Sequence, residues 1–180
     1  MNERARQQQL APQWRAEEFR TLATQGLDGQ PVVVGGVAEV RALGVLWDQR
    51  GCKQVVVRGY DGALALGRPV VNVAARLCGW PGLPAVGEPV ALAFGAALAV
   101  AAEDAGALVE VVRGLRARAA ARGGAWLGLG FDARDPRLAT VRRHFRRREY
   151  RSRLYAVSWP GMTSVESWAD GLFSPEVALL

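Results

Sequence analysis

Three residues carry side chains that could take part in catalysis. Asp48 follows an apolar run that ends at Trp47, where a carboxylate could orient or deprotonate an amine. His144 is the single histidine of the chain, and imidazole is the side chain best suited to proton transfer near neutral pH. Arg142 keeps its charge and could stabilise a developing anion, but it cannot act as an acid. A turn cap and a surface histidine are the structural alternatives for Asp48 and His144.

A cluster of arginines surrounds two of these candidates. Guanidinium groups bind phosphate in a forked geometry, so the cluster suits the phosphates of coenzyme A or a nucleic-acid surface. A solvated helix face and turn is the alternative, of about equal weight. No helix-turn-helix, zinc or ribonucleoprotein motif accompanies the cluster, which argues against nucleic acid. Its members are Arg142, Arg143, Arg146, Arg147, Arg148, Arg151 and Arg153.

Composition limits the class of protein. The chain has 180 residues, half of them hydrophobic, and a net charge of +6, which fits a folded domain and excludes a disordered chain. Cys52 and Cys78 are far apart and have no CxxC spacing, so no metal site is predicted. The polar first residues lack the apolar core of a signal peptide, and the apolar run over residues 90–102 is too short to span a bilayer. We therefore expect a cytoplasmic protein with no membrane contact.

The elements that must position the candidates alternate between strand and helix. An apolar strand near residues 90–100 precedes a helix over 104–122, a second strand over 125–132 and a basic helix that Asp135 caps, with Pro136 in its first position. This order predicts an α/β (α+β) fold with a mixed, mostly antiparallel sheet. The strands on either side of the first helix should run parallel.

The first half of the chain is less regular. The pattern predicts a short helix that ends by Gly26, strands over residues 31–34 and 40–47, and a helix over residues 69–78. Residues 54–60 stay ambiguous between strand and loop. The inward side of the 69–78 helix should consist of Val70, Val73, Ala74 and Leu77. We divide the chain into an N-terminal helical and polar segment, residues 1–30, and a single domain, residues 31–180.

Residues 89–159 resemble the C-terminal part of the GCN5-related N-acetyltransferase (GNAT) superfamily. The likeness rests on the strand–helix–strand–helix order, on Gly95 as a mark of a bulged strand, and on shorter pieces. This part of the chain is similar to the C-terminal halves of uncharacterised bacterial tandem proteins of that fold. The shorter pieces are Trp47-Asp48-Gln49-Arg50, Leu127-Gly128-Leu129, Asp135-Pro136 and Tyr150-Arg151-Ser152-Arg153-Leu154-Tyr155.

The resemblance implies an N-acyltransferase that uses acetyl-CoA or another acyl-CoA and a small-molecule amine as acceptor. In the family a loop with the pattern Arg/Gln-x-x-Gly-x-Gly/Ala binds the pyrophosphate, and it falls here on residues 103–108. Gly106 matches the pattern, whereas Glu103 and Leu108 do not, and replacing Glu103 with arginine should strengthen CoA binding about tenfold. The implied cofactor contacts are Leu98, Ala99, Val100, Asp104, Ala105, Gly106 and Ala107.

The same resemblance leaves a second class of function open. The tyrosine that serves the leaving thiolate in the family falls on Arg142 here, and two acidic residues occupy the pyrophosphate loop. A catalytically degenerate module of this fold, which acts in interaction or dimerisation, is therefore the alternative to an enzyme. We also expect a homodimer or a missing companion domain, since a sheet face or edge lacks predicted cover and the chain ends on apolar residues. Packing of the C-terminal residues on the chain's own sheet is the alternative.

Overall fold

The computed structural model describes residues 10–35, 39–101, 104–155 and 171–179. Two short 3-10 turns, Gln49–Gly51 and Val177–Leu179, accompany the main elements. In chain order these elements are α1 (Ala16–Ala23), β1 (Val32–Gly35), β2 (Val40–Trp47), α2 (Gly62–Leu77), β3 (Leu92–Val100), α3 (Ala105–Ala121), β4 (Trp126–Gly128) and α4 (Arg137–His144).

The four strands form one mixed sheet in the order β1-β2-β3-β4. β1, β2 and β3 are antiparallel neighbours, and β4 runs parallel to β3. The predicted fold class is therefore confirmed, including the parallel pair joined by a helix. β4 is shorter than expected, because it pairs with β3 only from Leu92↔Trp126 to Phe94↔Gly128.

α3 covers one face of the sheet and begins and ends as its sequence predicts. The Asp104 carboxylate accepts a 2.8 Å hydrogen bond from the Ala107 amide at the first turn, the usual role of an N-cap acid. Gly123 follows the helix with φ of 74°, a conformation that glycine adopts without a steric penalty. The buried stripe packs on the strands and consists of Ala107, Leu108, Val111, Val112, Leu115 and Ala119.

α4 packs against α3 through Val141 and Phe145, which are both buried. Leu138 on the same helix is half-buried. Asp135 accepts hydrogen bonds from the backbone amide and the guanidinium of Arg137 at the helix start, but Pro136 and not Asp135 occupies the N-cap position. Pro136 lies immediately before the helix rather than in its first position.

The second face of the sheet is covered by both ends of the chain. Trp14 packs edge-on against Trp47, with ring centroids 6.4 Å apart, and Leu27 and Ala178 complete the same buried cluster. The Trp47 indole N–H donates to the Gln25 carbonyl at 3.0 Å. Residues 14–27 and the C-terminal residues thus cover the sheet face that the sequence left open, and the C-terminal residues pack on the chain's own sheet.

The predicted inward side of α2 is wrong. The helix begins at Gly62, earlier than expected, and Val70, Val73, Ala74 and Leu77 are all exposed. The physical reason is that the opposite, polar side of α2 binds the loop that follows it. Arg68 Nε donates to the Leu83 and Pro84 carbonyls, and the Asn72 side chain exchanges two hydrogen bonds with Leu83. Of residues 54–60, Val56 forms an isolated antiparallel bridge with Pro89.

Replacing Leu115 with alanine should lower the free energy of unfolding by about 3 kcal/mol, because this side chain is fully buried between α3 and the sheet. Urea denaturation followed by circular dichroism measures the change. Val86→Ala is the control, since Val86 is 61% exposed and its truncation should change the same quantity by less than about 0.5 kcal/mol. Equal effects from both substitutions would contradict the packing described for α3.

Candidate functional site

A β-bulge interrupts β3 in its middle. Leu43 pairs with Ala99 and Val45 pairs with Ala96, so that Ala97 and Leu98 together lie opposite Gly44. Ala97 has a φ of 49°, which a side-chain-bearing residue adopts only at a steric cost. The sequence predicts a bulge at Gly95, and the structure has it two residues further on. Bulges often lie beside functional sites because they change the direction of backbone groups.

Gly95 has a different role from the one predicted. A Cβ atom on Gly95 would lie 2.6 Å from Leu129 Cδ2 and 3.2 Å from Leu115 Cδ1. The missing side chain therefore lets Leu129 approach the strand as β4 ends. From this point the pairing of β3 with β4 stops, although β3 continues to Val100 beside β2.

The end of this pairing creates a slot between β3 and the residues after β4. We define the slot as the space between residues 95–100 and residues 129–131. The cavity that remains there has a volume of about 80 Å³, whereas small-molecule sites usually measure about 300–1,000 Å³. The reason for the small volume is that residues 174–177 also line the cavity.

The C-terminal segment, residues 171–179, is fixed in the slot by hydrogen bonds along its length. Glu176 Oε2 accepts a 2.9 Å hydrogen bond from the Ala97 amide at the bulge. The buried side chain of Gln49 donates through Nε2 to the Ala178 carbonyl at 2.8 Å. At the other end of the segment, the Phe173 amide donates to Asp132 Oδ2 at 2.9 Å. The segment thus gives polar partners to groups that the missing strand pairing leaves open.

Asp132 and Arg134 form the anchor for the start of the segment. Arg134 donates to Asp132 through its backbone and its guanidinium, and it also donates to the Gly171 carbonyl at 2.6 Å. These bonds from Arg134, with the Phe173 amide, hold the pKa of Asp132 far below its usual range. Asp132 is therefore ionised at any pH at which the fold is studied, and it binds the Phe173 amide as a charged acceptor.

Two charged side chains line the described part of the slot. Burial raises the pKa of Glu176, and the hydrogen bonds from Ala97 and Ala178 only partly oppose this effect. Arg137 also lines the cavity, where its guanidinium binds Asp135 and lies 5.6 Å from the centroid of the Phe131 ring. Neither residue was predicted from the sequence. Glu176 stands in a stretch noted for apolar character, and Arg137 carries no motif apart from its place after Asp135-Pro136.

The predicted cofactor residues lie together at one end of the sheet. Leu98, Ala99 and Val100 line the slot at the end of β3, and α3 begins a few residues later at Ala105. Asp104 occupies the helix start itself: it accepts from Ala107 and forms an ion pair with Arg41 at 2.6 Å. The hydrogen bond from Ala107 and that from Arg41 lower the pKa of Asp104. A fixed carboxylate therefore stands where a pyrophosphate would be attracted by the helix start. Glu103 lies outside the described residues.

Asp48 lies at the opposite end of α3 from these residues. Its carboxylate accepts hydrogen bonds from Arg50 at 2.6 and 2.8 Å, which lower its pKa. The same Arg50 guanidinium donates to the carbonyls of Arg122 and Gly123 at the C-terminal end of α3. Because a 17-residue helix is about 25 Å long, Asp48 is too far from residues 104–107 to act with them. Asp48 also caps the 3-10 turn that follows it.

Arg142 and His144 lie on α4, which packs on the middle of α3. Arg142 forms a forked ion pair with Glu149 at 2.8 and 3.0 Å. The hydrogen bonds from Arg142 and from Arg147 lower the pKa of Glu149 to about 2. His144 is exposed, and its Nδ1 lies 3.0 Å from the Thr140 carbonyl of its own helix. The structure therefore does not bring the three predicted catalytic residues into one site.

The arginine cluster is partly neutralised within the described residues. Glu149 pairs with both Arg142 and Arg147. Arg146 lies over the Trp80 ring, 5.1 Å from its centroid, so it packs against the loop after α2. The remaining arginines of the cluster are exposed and form no ion pair with any other described residue: Arg143, Arg148, Arg151 and Arg153.

Comparison with known proteins identifies no relative. The chain matches no protein-family model, no curated protein and no solved structure. Among the described helices, none is long and apolar enough to cross a membrane. In the same part of the chain, no group of histidine, cysteine, aspartate and glutamate residues could hold a metal ion.

Docking of the C-terminal segment should weaken as the pH rises above about 4.5, the usual pKa of a glutamate. The raised pKa of Glu176 means that the docked carboxyl binds its proton more tightly than the undocked one, whose pKa is about 4.5. Docking is therefore most stable below the undocked pKa and is weakened as the pH rises through the raised value. The measurement is the protection factor of the Ala97 amide against hydrogen exchange, corrected for the intrinsic exchange rate at each pH.

Glu176→Gln is the matched control for this pH dependence. Glutamine keeps an oxygen that can accept from Ala97 and carries no proton that titrates. In the variant the protection factor should be the same at pH 5 and pH 7, because the lowered pKa of Asp132 keeps that carboxylate ionised over this range. A protection factor in the natural sequence that rises with pH would contradict the assignment to Glu176.

Gly130→Ala should increase about tenfold the fraction of molecules in which the C-terminal segment is displaced from the slot. A Cβ atom at Gly130 would lie 2.9 Å from Val177 Cβ, so the C-terminal segment must shift. Overpacking of this kind costs about 1–3 kcal/mol, and about 1.4 kcal/mol corresponds to a factor of ten. The Ala97 protection factor should fall accordingly. Gly29→Ala, at which a Cβ atom meets nothing within 4 Å, should leave the protection factor unchanged.

Proposed function

We propose that this chain is a non-catalytic interaction module of the N-acetyltransferase type of fold. The observation that carries the proposal is the Glu176 carboxylate on the bulge amide of Ala97. The slot that would receive a cofactor is occupied by residues 174–177 and keeps a volume of only about 80 Å³. The chain's own C-terminal segment thus takes the place of a ligand. In this proposal the domain acts by binding a partner through its outer surface.

Electrostatics at the helix start supports the same proposal. Asp104 is held by Arg41 and by the first turn of α3, so its negative charge is fixed at that place. A pyrophosphate approaching the helix start would meet this carboxylate before the backbone amides. The separation of Asp48 from residues 104–107 by the length of α3 adds to the argument, since no acid or base candidate faces the slot from β2.

An acyl-CoA-dependent N-acyltransferase is the second candidate, and one observation favours it. With the C-terminal segment displaced, the slot would offer the Ala97 amide and the Arg137 guanidinium to an acyl-CoA. In such a reaction the amine nitrogen attacks the thioester carbonyl, a C–N bond forms, the C–S bond breaks, and the amine proton passes to the departing sulfur, so that CoA leaves as the thiol. The residues expected from the sequence to be catalytic, Asp48, Arg142 and His144, do not lie in one site and give this candidate no support.

Titration calorimetry with acetyl-CoA tests the proposed function. The natural sequence should give no binding heat at millimolar cofactor, because the slot is filled and the helix start is acidic. A dissociation constant below about 1 mM, which corresponds to about 4 kcal/mol, would contradict the proposal.

Glu176→Ala separates the two candidates. This variant removes the carboxylate from the Ala97 amide and so loosens the C-terminal segment. If the chain is an interaction module, the variant should bind no acetyl-CoA either. Binding by Glu176→Ala but not by the natural sequence would contradict the interaction module and would favour an acyltransferase whose slot is closed by its own C-terminal segment. Gly29→Ala serves as the control for handling and folding.

A further inference from the structure

α2 is amphipathic with its apolar side turned to solvent. Four aliphatic side chains follow one another at intervals of four, three and four residues, which places them on one side of a helix. Their exposed fractions are 88% for Leu66, 73% for Val70, 62% for Val73 and 83% for Leu77. We call these four residues the α2 seam. Soluble domains rarely leave such a continuous aliphatic stripe uncovered.

The other side of α2 explains why the seam faces outward. Arg68 and Asn72 bind the carbonyls of Leu83 and Pro84, and Ala75 on the same side of the helix is buried. These contacts fix the rotation of the helix about its axis. Turning the seam inward would break the hydrogen bonds of both polar side chains, so the exposed orientation is the stable one within a single copy.

The seam has the spacing of a coiled coil and a palindromic order. Leu66 and Val73 occupy d positions of a heptad, and Val70 and Leu77 occupy a positions. The order Leu, Val, Val, Leu with intervals four, three, four reads the same in both directions. An antiparallel second copy would therefore place Leu66 against Leu77 and Val70 against Val73, and then repeat the same two contacts by symmetry. A two-fold interface needs this kind of self-complementary surface.

Charge and side-chain size also favour a second copy in the antiparallel direction. Arg68 and Arg76 are the only charged residues of α2. Arg68 lies on the side that binds the loop, away from the seam, and the antiparallel register puts Arg76 at the level of Gly67 in the other copy, so the arginines of the two copies do not face one another. Gly67 and Ala74 flank the seam, and their small size lets the two helix backbones approach closely.

We propose that two copies of this chain associate through an antiparallel pairing of their α2 seams. The four side chains of a copy expose roughly 400 Å² of apolar surface, taking about 100 Å² for each. Two copies with the flanking backbone then bury about 1,000 Å², the lower limit for a specific interface. An interface at this lower limit belongs to the weak class, so we expect a dissociation constant on the order of 10 µM.

The inference names the partner of the interaction module proposed above, but it rests on α2 and not on the slot. The acetyl-CoA titration can therefore fail while the association holds, and the reverse is equally possible. Sedimentation equilibrium of the full chain between about 1 and 100 µM tests the association directly. The mass should rise from the 19.4 kDa of a single copy toward twice that value.

Val73→Glu should abolish the association, because it places two carboxylates in the centre of the paired seams. The dissociation constant should rise more than tenfold, with an unchanged circular dichroism spectrum since Val73 is exposed. Val86→Glu is the matched control: it makes the same substitution at a residue of similar exposure outside the seam, and it should associate like the natural sequence. A natural sequence that stays a single copy at 100 µM, or a Val73→Glu variant that associates normally, would overturn the proposal.

Cysteine crosslinking tests the direction of the pairing. In a background with Cys52 and Cys78 replaced by serine, single variants Leu66→Cys and Leu77→Cys are oxidised separately and as a mixture. The two positions are about 16 Å apart along the helix. Antiparallel seams should give a crosslink only in the mixture. A crosslink in either variant by itself would indicate parallel helices, and its absence from the associated mixture would indicate another interface; both results overturn the proposal.

Discussion

The open side of β3 after Phe94 is the constraint on which the rest of this structure depends. A strand that is half-buried must find partners for its backbone groups, and β4 supplies them over three residues only. The bulge directs the Ala97 amide out of the regular ladder, and Glu176 satisfies it with a carboxylate. The C-terminal segment thus completes a sheet that the strands leave unfinished. Its position in the slot follows from this need for hydrogen bonds as much as from apolar packing.

The two faces of the sheet are covered in different ways. On one face, α3 contributes a continuous stripe of buried aliphatic side chains, and α4 supports it through Val141 and Phe145. On the other face no long helix is present among the described residues, and the cover comes from Trp14, Leu27 and Ala178 around Trp47. The first face depends on local helix formation. The second depends on contacts between parts of the chain that are far apart in sequence, and this is the face that borders the slot.

The sequence predicted the elements well and the candidate site poorly, for identifiable reasons. Periodicity and capping indicate where α3 begins and ends, because the Asp104 cap and the glycines after it act over a few residues. Local sequence does not show where a residue lies in the folded domain. Asp48 follows a strand in sequence, yet no nearby residue indicates that β2 ends beside the C-terminal end of α3. Glu176 could not be selected, because its role arises from a contact with a residue 79 positions away. The predicted inward side of α2 was wrong because the spacing of apolar residues shows which side of a helix is apolar, and not which side faces the domain.

Contacts of such long range also decide the order in which the molecule can form during synthesis. The hydrogen bond from Gln49 to Ala178 joins residues 129 positions apart, so it cannot exist until almost the whole described chain has left the ribosome. The sheet and α3 can assemble before that moment, with an uncovered strand side and a bulge amide exposed to solvent. This interval is the stage at which pairing with another nascent chain competes with correct folding.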